Sequence, residues 1–180
     1  MRWKQYEQDL EKRLAELHGR IHRGAYRAQP SRRVYIPKAD GRLRPLGIAA
    51  LEDKIVQRAV STLLDVIYDV NFYDFPHAFR KGHIQHKELH ELREKCRKLN
   101  IGWIVSADIS GLFDNIDHGI LRSFIKRRVN DGGILRLIGK WLNAGVMEEV
   151  ILSYPGKGTP QGGVVSPVLS NIFLHYVYYE

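Results

Sequence analysis

The sequence is poor in cysteine and lacks long apolar runs, and each shortage excludes a class of protein. Cys96 is the single cysteine among 180 residues, so the chain can neither close an internal disulfide nor share a metal between two cysteines. No apolar run approaches the ~20 residues of a membrane span, and charge rather than a signal-peptide core follows the first five residues. Disulfide-stapled secreted proteins, zinc fingers and membrane-inserted proteins are therefore excluded, and a cytoplasmic location is expected.

Charge is abundant in the chain, but it is unevenly placed. There are 28 Lys and Arg against 20 Asp and Glu, which gives a net charge of +8. Residues 1–100 hold 21 of the basic and 13 of the acidic residues, whereas residues 101–180 hold 7 of each. This predicts two regions: a basic one that faces a polyanion, most commonly nucleic acid, and a neutral working part. A merely solvated basic face is the alternative that charge alone leaves open.

The pattern of apolar residues predicts an α+β chain in which helices predominate. Helical spacing covers the ranges 3–22, 52–70 and 84–99, follows the candidate caps Asp117 and Asp131, and resumes at Ser166, the predicted cap before Pro167. Strand-like runs cover the range 32–48, as a hairpin, and the ranges 103–107 and 146–152. The helix over 84–99 is predicted to bury Ile84, Leu89, Leu92, Cys96 and Leu99.

Asp108 is the first candidate for chemistry, because it follows the apolar run 103–107 directly. A carboxylate at the tip of a buried strand, beside the turn at Ser110 and Gly111, can hold a hard metal ion. For an isolated aspartate the commoner role is to cap a helix, so the choice depends on the residues that follow.

Two segments carry the most specific pattern in the chain. Residues 108–118 read Asp-Ile-Ser-Gly-Leu-Phe-Asp-Asn-Ile-Asp-His, and residues 158–167 read Gly-Thr-Pro-Gln-Gly-Gly-Val-Val-Ser-Pro. With the ranges 33–38, 43–48, 53–57 and 140–146, they resemble, in the same order, the motifs of reverse transcriptases encoded by bacterial group II introns, which also act as splicing maturases. The resemblance runs from about residue 24 to the C-terminus.

The resemblance implies a right-hand polymerase fold, of which this chain carries the fingers (1–100) and the N-terminal part of the palm (101–180). It implies an RNA-directed DNA polymerase that uses deoxynucleoside triphosphates and two Mg²⁺ ions. The family's second carboxylate block, Tyr-Ala-Asp-Asp, does not occur in these 180 residues. One carboxylate can bridge two ions but cannot hold them alone, so the 180 residues by themselves are expected to be inactive in primer extension.

The same resemblance implies a role for individual residues. Asp108 is the implied catalytic carboxylate and a ligand of both magnesium ions, and the backbone carbonyl of Ile109 is a ligand of one. The ring of Phe113 is implied to fill the space of a ribose 2′-hydroxyl and so to select deoxynucleotides, although on its own it would be read as a core residue. The residues implied to bind the incoming nucleotide are Lys38, Arg44, Phe113, Gln161 and Gly162.

The triphosphate role of Lys38 and Arg44 allows a geometric check. A two-residue hairpin turn would place these two cations on opposite faces. A three-residue loop with Gly41 in the left-handed region would instead pair Lys38 with Arg42. Ile36 would then face Arg44, and all three cations would share one face, as the triphosphate role requires.

Nucleic acid is the implied partner, as group II intron RNA and as an RNA template with a DNA primer. Contacts to phosphates without sequence preference are expected from Arg20, Arg23, Arg32, Arg33 and Arg42. A nonenzymatic RNA-binding module that promotes splicing, or a reverse transcriptase of another bacterial lineage, are the alternatives. A homodimer is a further expectation, through an apolar patch formed by Ile172, Phe173, Val177 and Tyr178.

Overall fold

A computed structural model of the chain describes residues 3–73, 78–80, 85–159 and 162–179. The described helices are α1 (Trp3–Glu7), α2 (Leu10–His22), α3 (Leu51–Asp69), α4 (Gln85–Lys98), α5 (Leu112–Asn115), α6 (His118–Lys126), α7 (Gly132–Leu142) and α8 (Ser166–Leu174), which continues as a π-helix (His175–Tyr179). The described strands are β1 (Ser31–Pro37), β2 (Leu43–Ile48), β3 (Val146–Glu148) and β4 (Ile151–Ser153).

The four strands form one mixed sheet in the order β2-β1-β3-β4. β1 pairs antiparallel with β2 on one side and parallel with β3 on the other, starting at Ser31 opposite Val146. The sequence predicted short antiparallel strands and did not predict this parallel pair, because its two strands lie more than 100 residues apart in the chain. The sheet therefore joins the hairpin of the basic region to the neutral region.

The hydrophobic core lies where helices α3, α6, α7 and α8 meet. α3 buries Val56, Val60, Leu64 and Tyr68, which recur every fourth residue. Burying one such side chain stabilises the fold by about 1.5–3 kcal/mol, so this stripe fixes α3 firmly in place. The apolar pattern of 52–70 predicts the first three of these, but not Tyr68. It also predicts Ala59 and Leu63, which are exposed.

Two of the three predicted helix caps are confirmed. The Asp117 carboxylate accepts a hydrogen bond from the backbone N–H of Ile120 at 2.8 Å, and Asp131 accepts one from Ile134 at 2.7 Å. The predicted cap at Ser166 is wrong by one residue. Val165 is the N-cap, and Ser166 is the buried first residue of α8.

The hairpin adopts the register that the triphosphate role requires. Ile36 pairs with Arg44, and the Lys38 N–H donates to the Arg42 carbonyl at 2.8 Å. Gly41 closes the three-residue loop with φ of +79°, a conformation that glycine adopts without steric cost. Lys38, Arg42 and Arg44 therefore lie on one face of the hairpin.

The predicted buried strand over 103–107 is wrong. These residues form no strand, and the side chains of Trp103 and Val105 are 92% and 93% exposed. A strand is stabilised by hydrogen bonds to a neighbouring strand, and in the described part of the chain none pairs with this segment. The segment is apolar, as a buried strand would be, but the described residues offer it no strand to pair with.

The predicted buried face of α4 is also wrong. Leu89, Leu92 and Leu99 are exposed, and Cys96 is half-buried rather than buried. Ile84 lies outside the described residues. An amphipathic pattern fixes which face of a helix is apolar, but not whether another element covers that face.

Three smaller predictions need correction. The first helix is interrupted at Gln8 and Asp9, and the Asp9 carbonyl starts the second helix by accepting from Arg13. The range 146–152 forms two short strands rather than one, because Glu149 turns the chain with φ of +53° and no glycine marks the turn. The patch expected to drive dimerisation is smaller than predicted, because Ile172 is fully buried.

Candidate active site

The segments 111–118 and 158–166 are joined through their backbones. The Thr159 N–H donates to the Phe113 carbonyl at 2.6 Å, and the Gly158 N–H donates to the Ile116 carbonyl at 2.7 Å. The Nε2 atom of His118 lies 2.6 Å from the Gly158 carbonyl, which can only accept, so Nε2 carries the proton of this bond. Three hydrogen bonds therefore fix the two motif segments side by side, although some forty residues separate them.

Gly158 is required at this junction by both its conformation and its surroundings. Its φ of +87° lies in the region that favours glycine. A Cβ at this position would lie 2.7 Å from the carbonyl oxygen of Asp114 and 2.8 Å from that of Phe113. Both obstacles are backbone atoms, so a side chain here would force the two segments apart.

Gly162 brings the second segment against the hairpin. Its φ is +98°, and a Cβ there would lie 3.2 Å from the Gly47 carbonyl oxygen in β2. Two residues further, the Val164 N–H donates to the Gln57 side chain of α3 at 2.9 Å. Gly162 therefore lies between α3 and the hairpin that carries Lys38 and Arg44, while Gln161 lies outside the described residues.

A buried hydrogen-bond network on α3 supports this junction, and the sequence reading missed it. Asp53 is only 2% exposed and accepts hydrogen bonds from the Tyr26 hydroxyl and, at 2.9 Å, from the Gln29 N–H. The Tyr26 hydroxyl in turn accepts from Trp141 Nε1 at 2.8 Å. The signal that could have found the network is the pair Asp53 and Gln57, two polar residues one helical turn apart beside the apolar stripe of α3.

Asp53 is expected to make the stability of the fold dependent on pH. Burial raises the pKa of Asp53 above its ordinary value of 3.8, against the opposing effect of its two hydrogen-bond donors. Its contribution to stability is therefore complete below about pH 3.8 and is lost as the pH rises through the raised pKa.

Asp53→Asn should lower the free energy of unfolding by about 1–3 kcal/mol, because the two donors face different carboxylate oxygens and the amide NH2 group that replaces one of these oxygens cannot accept. The difference between the two proteins should shrink as the pH rises from about 4 to about 7, since only the wild type pays for ionising a buried carboxyl. Urea unfolding at the two pH values measures both effects. A more stable asparagine variant, or a difference that does not change with pH, would contradict this account.

Asp108 and Ile109 lie in the exposed segment that leads into α5. Among the described residues, Asp108 takes part in no ion pair or side-chain hydrogen bond. A carboxylate and a backbone carbonyl are hard oxygen ligands of the kind that Mg²⁺ prefers, so these two groups fit the implied ion. They do not complete a site, since the described residues contain no group of three or more His, Cys, Asp or Glu that could hold a metal.

The predicted nucleotide-binding side chains differ in their surroundings. Lys38 and Arg44 are exposed on the shared face of the hairpin. Arg42 lies on the same face and donates hydrogen bonds of 2.8 and 2.6 Å to the Asp40 carboxylate. This contact lowers the pKa of Asp40. Phe113 is half-buried, and its carbonyl takes part in the junction described above.

The predicted RNA-binding arginines fall into two groups. Arg23 and Arg32 are exposed. Arg20 donates to Glu52 at 2.6 Å, and Arg33 lies 3.9 Å from Glu148, so both have carboxylate neighbours within the fold. With Arg42 held by Asp40, the free cations of the set are fewer than the sequence suggests.

Comparison with known proteins identifies the family. The model of the family described as reverse transcriptase (RNA-dependent DNA polymerase) matches residues 36–180. The chain is 39% identical over 166 residues to the group II intron-encoded protein LtrA of Lactococcus lactis subsp. cremoris, covering 92% of this chain and 27% of LtrA. It is 37% identical over 155 residues to protein YkfC of Escherichia coli K12, covering 84% of this chain and 41% of YkfC. The chain thus spans well under half the length of either relative.

Solved structures show the same fold. A chain of a partial Cas6-RT-Cas1–Cas2 complex is similar with a TM-score of 0.57 and 22% identity, over 92% of this chain and 29% of that one. None of the helices in the described ranges is long and apolar enough to cross a membrane. The predicted fold class and the resemblance to group II intron proteins are confirmed, and the chain belongs to the reverse transcriptase family.

Proposed function

We propose that the full-length protein is an RNA-directed DNA polymerase of the group II intron type, which copies RNA into DNA and assists intron splicing and mobility. The observation that carries the proposal is the junction of segment 158–164 with segment 111–118 on one side and with β2 on the other. The junction joins the segment of Phe113 to Gly162 and to β2 of the cationic hairpin, and this supports a nucleotide site there.

In the proposed mechanism, Lys38 and Arg44 bind the triphosphate of the incoming deoxynucleotide. The Lys38 ammonium group acts as a point charge, and the planar Arg44 guanidinium group can bind two phosphate oxygens at once. The backbone at Gly162, held against Gly47 of β2, lies against the nucleotide. Phe113 excludes a ribose 2′-hydroxyl. Asp108 and the Ile109 carbonyl would hold magnesium, which supplies charge stabilisation for phosphoryl transfer when bound.

The proposal extends to partners and organisation. Group II intron RNA, an RNA template and a DNA primer are the proposed partners, with the basic region 1–100 as fingers and 101–180 as the start of the palm. A cytoplasmic location, and a homodimer through the still exposed Val177 and Tyr178, belong to the same proposal.

Binding of structured RNA is expected to weaken steeply with salt, because phosphate contacts by cations release counterions. The logarithm of the association constant should fall by ~0.7–0.9 for each phosphate neutralised, per unit logarithm of salt concentration. Filter binding or fluorescence anisotropy at rising salt measures this slope. An association constant that does not change with salt would refute the prediction that basic side chains contact RNA phosphates.

Charge reversals locate the surface. Arg23→Glu and Arg32→Glu, both at exposed positions of the basic region, should weaken RNA binding. Arg122→Glu and Arg136→Glu are the matched controls, because these arginines are also exposed but lie on α6 and α7, outside the basic region. Arg20 is unsuitable for this test, since its reversal would also break the contact with Glu52. Equal losses in both sets would mean that the RNA surface is misplaced.

Phe113→Ala in the full-length protein should admit ribonucleotides while most deoxynucleotide incorporation is kept. The change removes a steric barrier against the wrong substrate without altering Asp108, so discrimination falls by about tenfold or more. The measurement is the ratio of ribonucleotide to deoxynucleotide kcat/KM beside a melting curve. An unchanged ratio together with a lower melting temperature would mean that Phe113 is a core residue and does not select the sugar.

A further inference from the structure

An open groove lies at the N-terminal end of the molecule, where α1, the start of β1 and the start of α3 meet. It has a volume of about 580 Å³ and is lined by Trp3, Pro30, Arg32, Ile48, Ala49, Ala50, Leu51 and Lys54. We call this surface the N-terminal groove. Arg32 is one of the predicted RNA-binding arginines, whereas none of the predicted metal or nucleotide ligands lines the groove.

The charges of the N-terminal groove are of one sign. Arg32 and Lys54 line it, and no acidic residue does. Within the described ranges neither cation takes part in an ion pair, in contrast to Arg20, Arg33 and Arg42. Two uncompensated cations on one concave surface create a positive potential that favours an anionic ligand.

The rest of the groove is apolar and partly aromatic. The Trp3 side chain is 51% exposed, and Ile48 and Leu51 add an apolar surface. A half-exposed indole beside cations is the combination on which nucleic-acid bases stack while their phosphates are neutralised. Every base presents a flat face, so such a site binds single strands without reading their sequence.

We propose that the N-terminal groove binds single-stranded RNA, with a base stacked on Trp3 and the adjoining phosphates bound by Arg32 and Lys54. The inference deepens the proposed function and rests on it for the identity of the ligand as RNA. A base-paired helix hides its base faces, so the groove should distinguish a single strand from a duplex of the same backbone.

The test compares the affinities of full-length variants for a uridine oligomer of about 12 nucleotides and for an RNA duplex. Trp3→Ala should weaken binding of the oligomer by about tenfold and leave the duplex nearly unaffected, whereas Trp3→Phe should restore most of the affinity. Lys54→Gln should weaken oligomer binding and reduce its salt dependence. Trp103→Ala is the matched control, because that indole is even more exposed but lies outside the groove.

Four results would overturn the inference: unchanged oligomer affinity in Trp3→Ala, equal losses for oligomer and duplex, an equal loss in Trp103→Ala, or Trp3-dependent binding to phosphatidylserine vesicles in place of the oligomer. Melting curves of both Trp3 variants show whether a loss comes from misfolding, and Trp3→Phe decides the question if alanine unfolds the chain. Primer extension by the wild type is measured in parallel. Absence of primer extension would refute the proposed polymerase activity. The comparison of oligomer affinities would still show whether the N-terminal groove binds single-stranded RNA.

Discussion

Asp108→Asn in the full-length protein is expected to reduce DNA synthesis on the order of a thousandfold while leaving the fold and RNA binding intact. The substitution removes the anionic oxygen proposed to hold magnesium, and stabilisation of transition-state charge is worth several kcal/mol. Asp108 is exposed and the fold places no other demand on its carboxylate, so the melting temperature should not change. Primer extension with a homopolymer template, beside a melting curve and an RNA-binding isotherm, separates these effects.

Asp114→Asn is the control for this experiment. It makes the same change of charge six residues away, at another exposed position within α5. Synthesis should fall little in this variant, because no metal role is proposed for Asp114. Equal losses in the two variants would indicate a general effect of charge in this segment, and an active Asp108→Asn protein would refute the catalytic assignment.

The second large effect is expected at Gly158. Gly158→Ala should lower the free energy of unfolding by about 3 kcal/mol or more, since a left-handed conformation and two backbone collisions act together. The corresponding drop in melting temperature is on the order of 10 °C for a chain of this size. Because the collisions involve the Phe113 and Asp114 carbonyls, DNA synthesis by the full-length protein should fall as well.

Gly156→Ala isolates the cause of this effect. Gly156 lies two residues earlier in the same turn, and a Cβ there would meet no atom within 4 Å. Its substitution should therefore leave stability almost unchanged. A Gly158→Ala variant as stable as Gly156→Ala would mean that the two segments can separate without cost and that the junction is not rigid.

Features set by local chemistry could be predicted from the sequence. The hairpin between two strand-like runs follows from the turn at Gly41, whereas the choice of its register rests on the triphosphate role. Asp117 and Asp131 cap helices as their positions before apolar periodicity suggest. The buried stripe of α3 follows from its four-residue repeat. In each case the decisive interactions join residues close together in the chain.

Features that depend on distant partners could not be predicted in this way. The parallel pairing of Ser31 with Val146 and the hydrogen bond of Val164 to Gln57 connect residues about a hundred positions apart, and no local pattern specifies them. The segment 103–107 shows the converse, because its apolar composition is strand-like while the described residues offer it no strand to pair with. The proposed catalytic role of Asp108 rests on the motif that follows it and not on its local structure.

The exposed segment at 103–107 also bears on how this chain behaves in concentrated solution. From Leu99 to Ala107 no residue carries a charge, and the stretch is rich in β-branched and aromatic side chains. Such a stretch, uncovered and without proline, is a template onto which the same stretch of another molecule can add, and this is how β-rich aggregates begin. A charged residue introduced at Val105 would act as a gatekeeper against aggregation, at a position where the fold itself loses no packing.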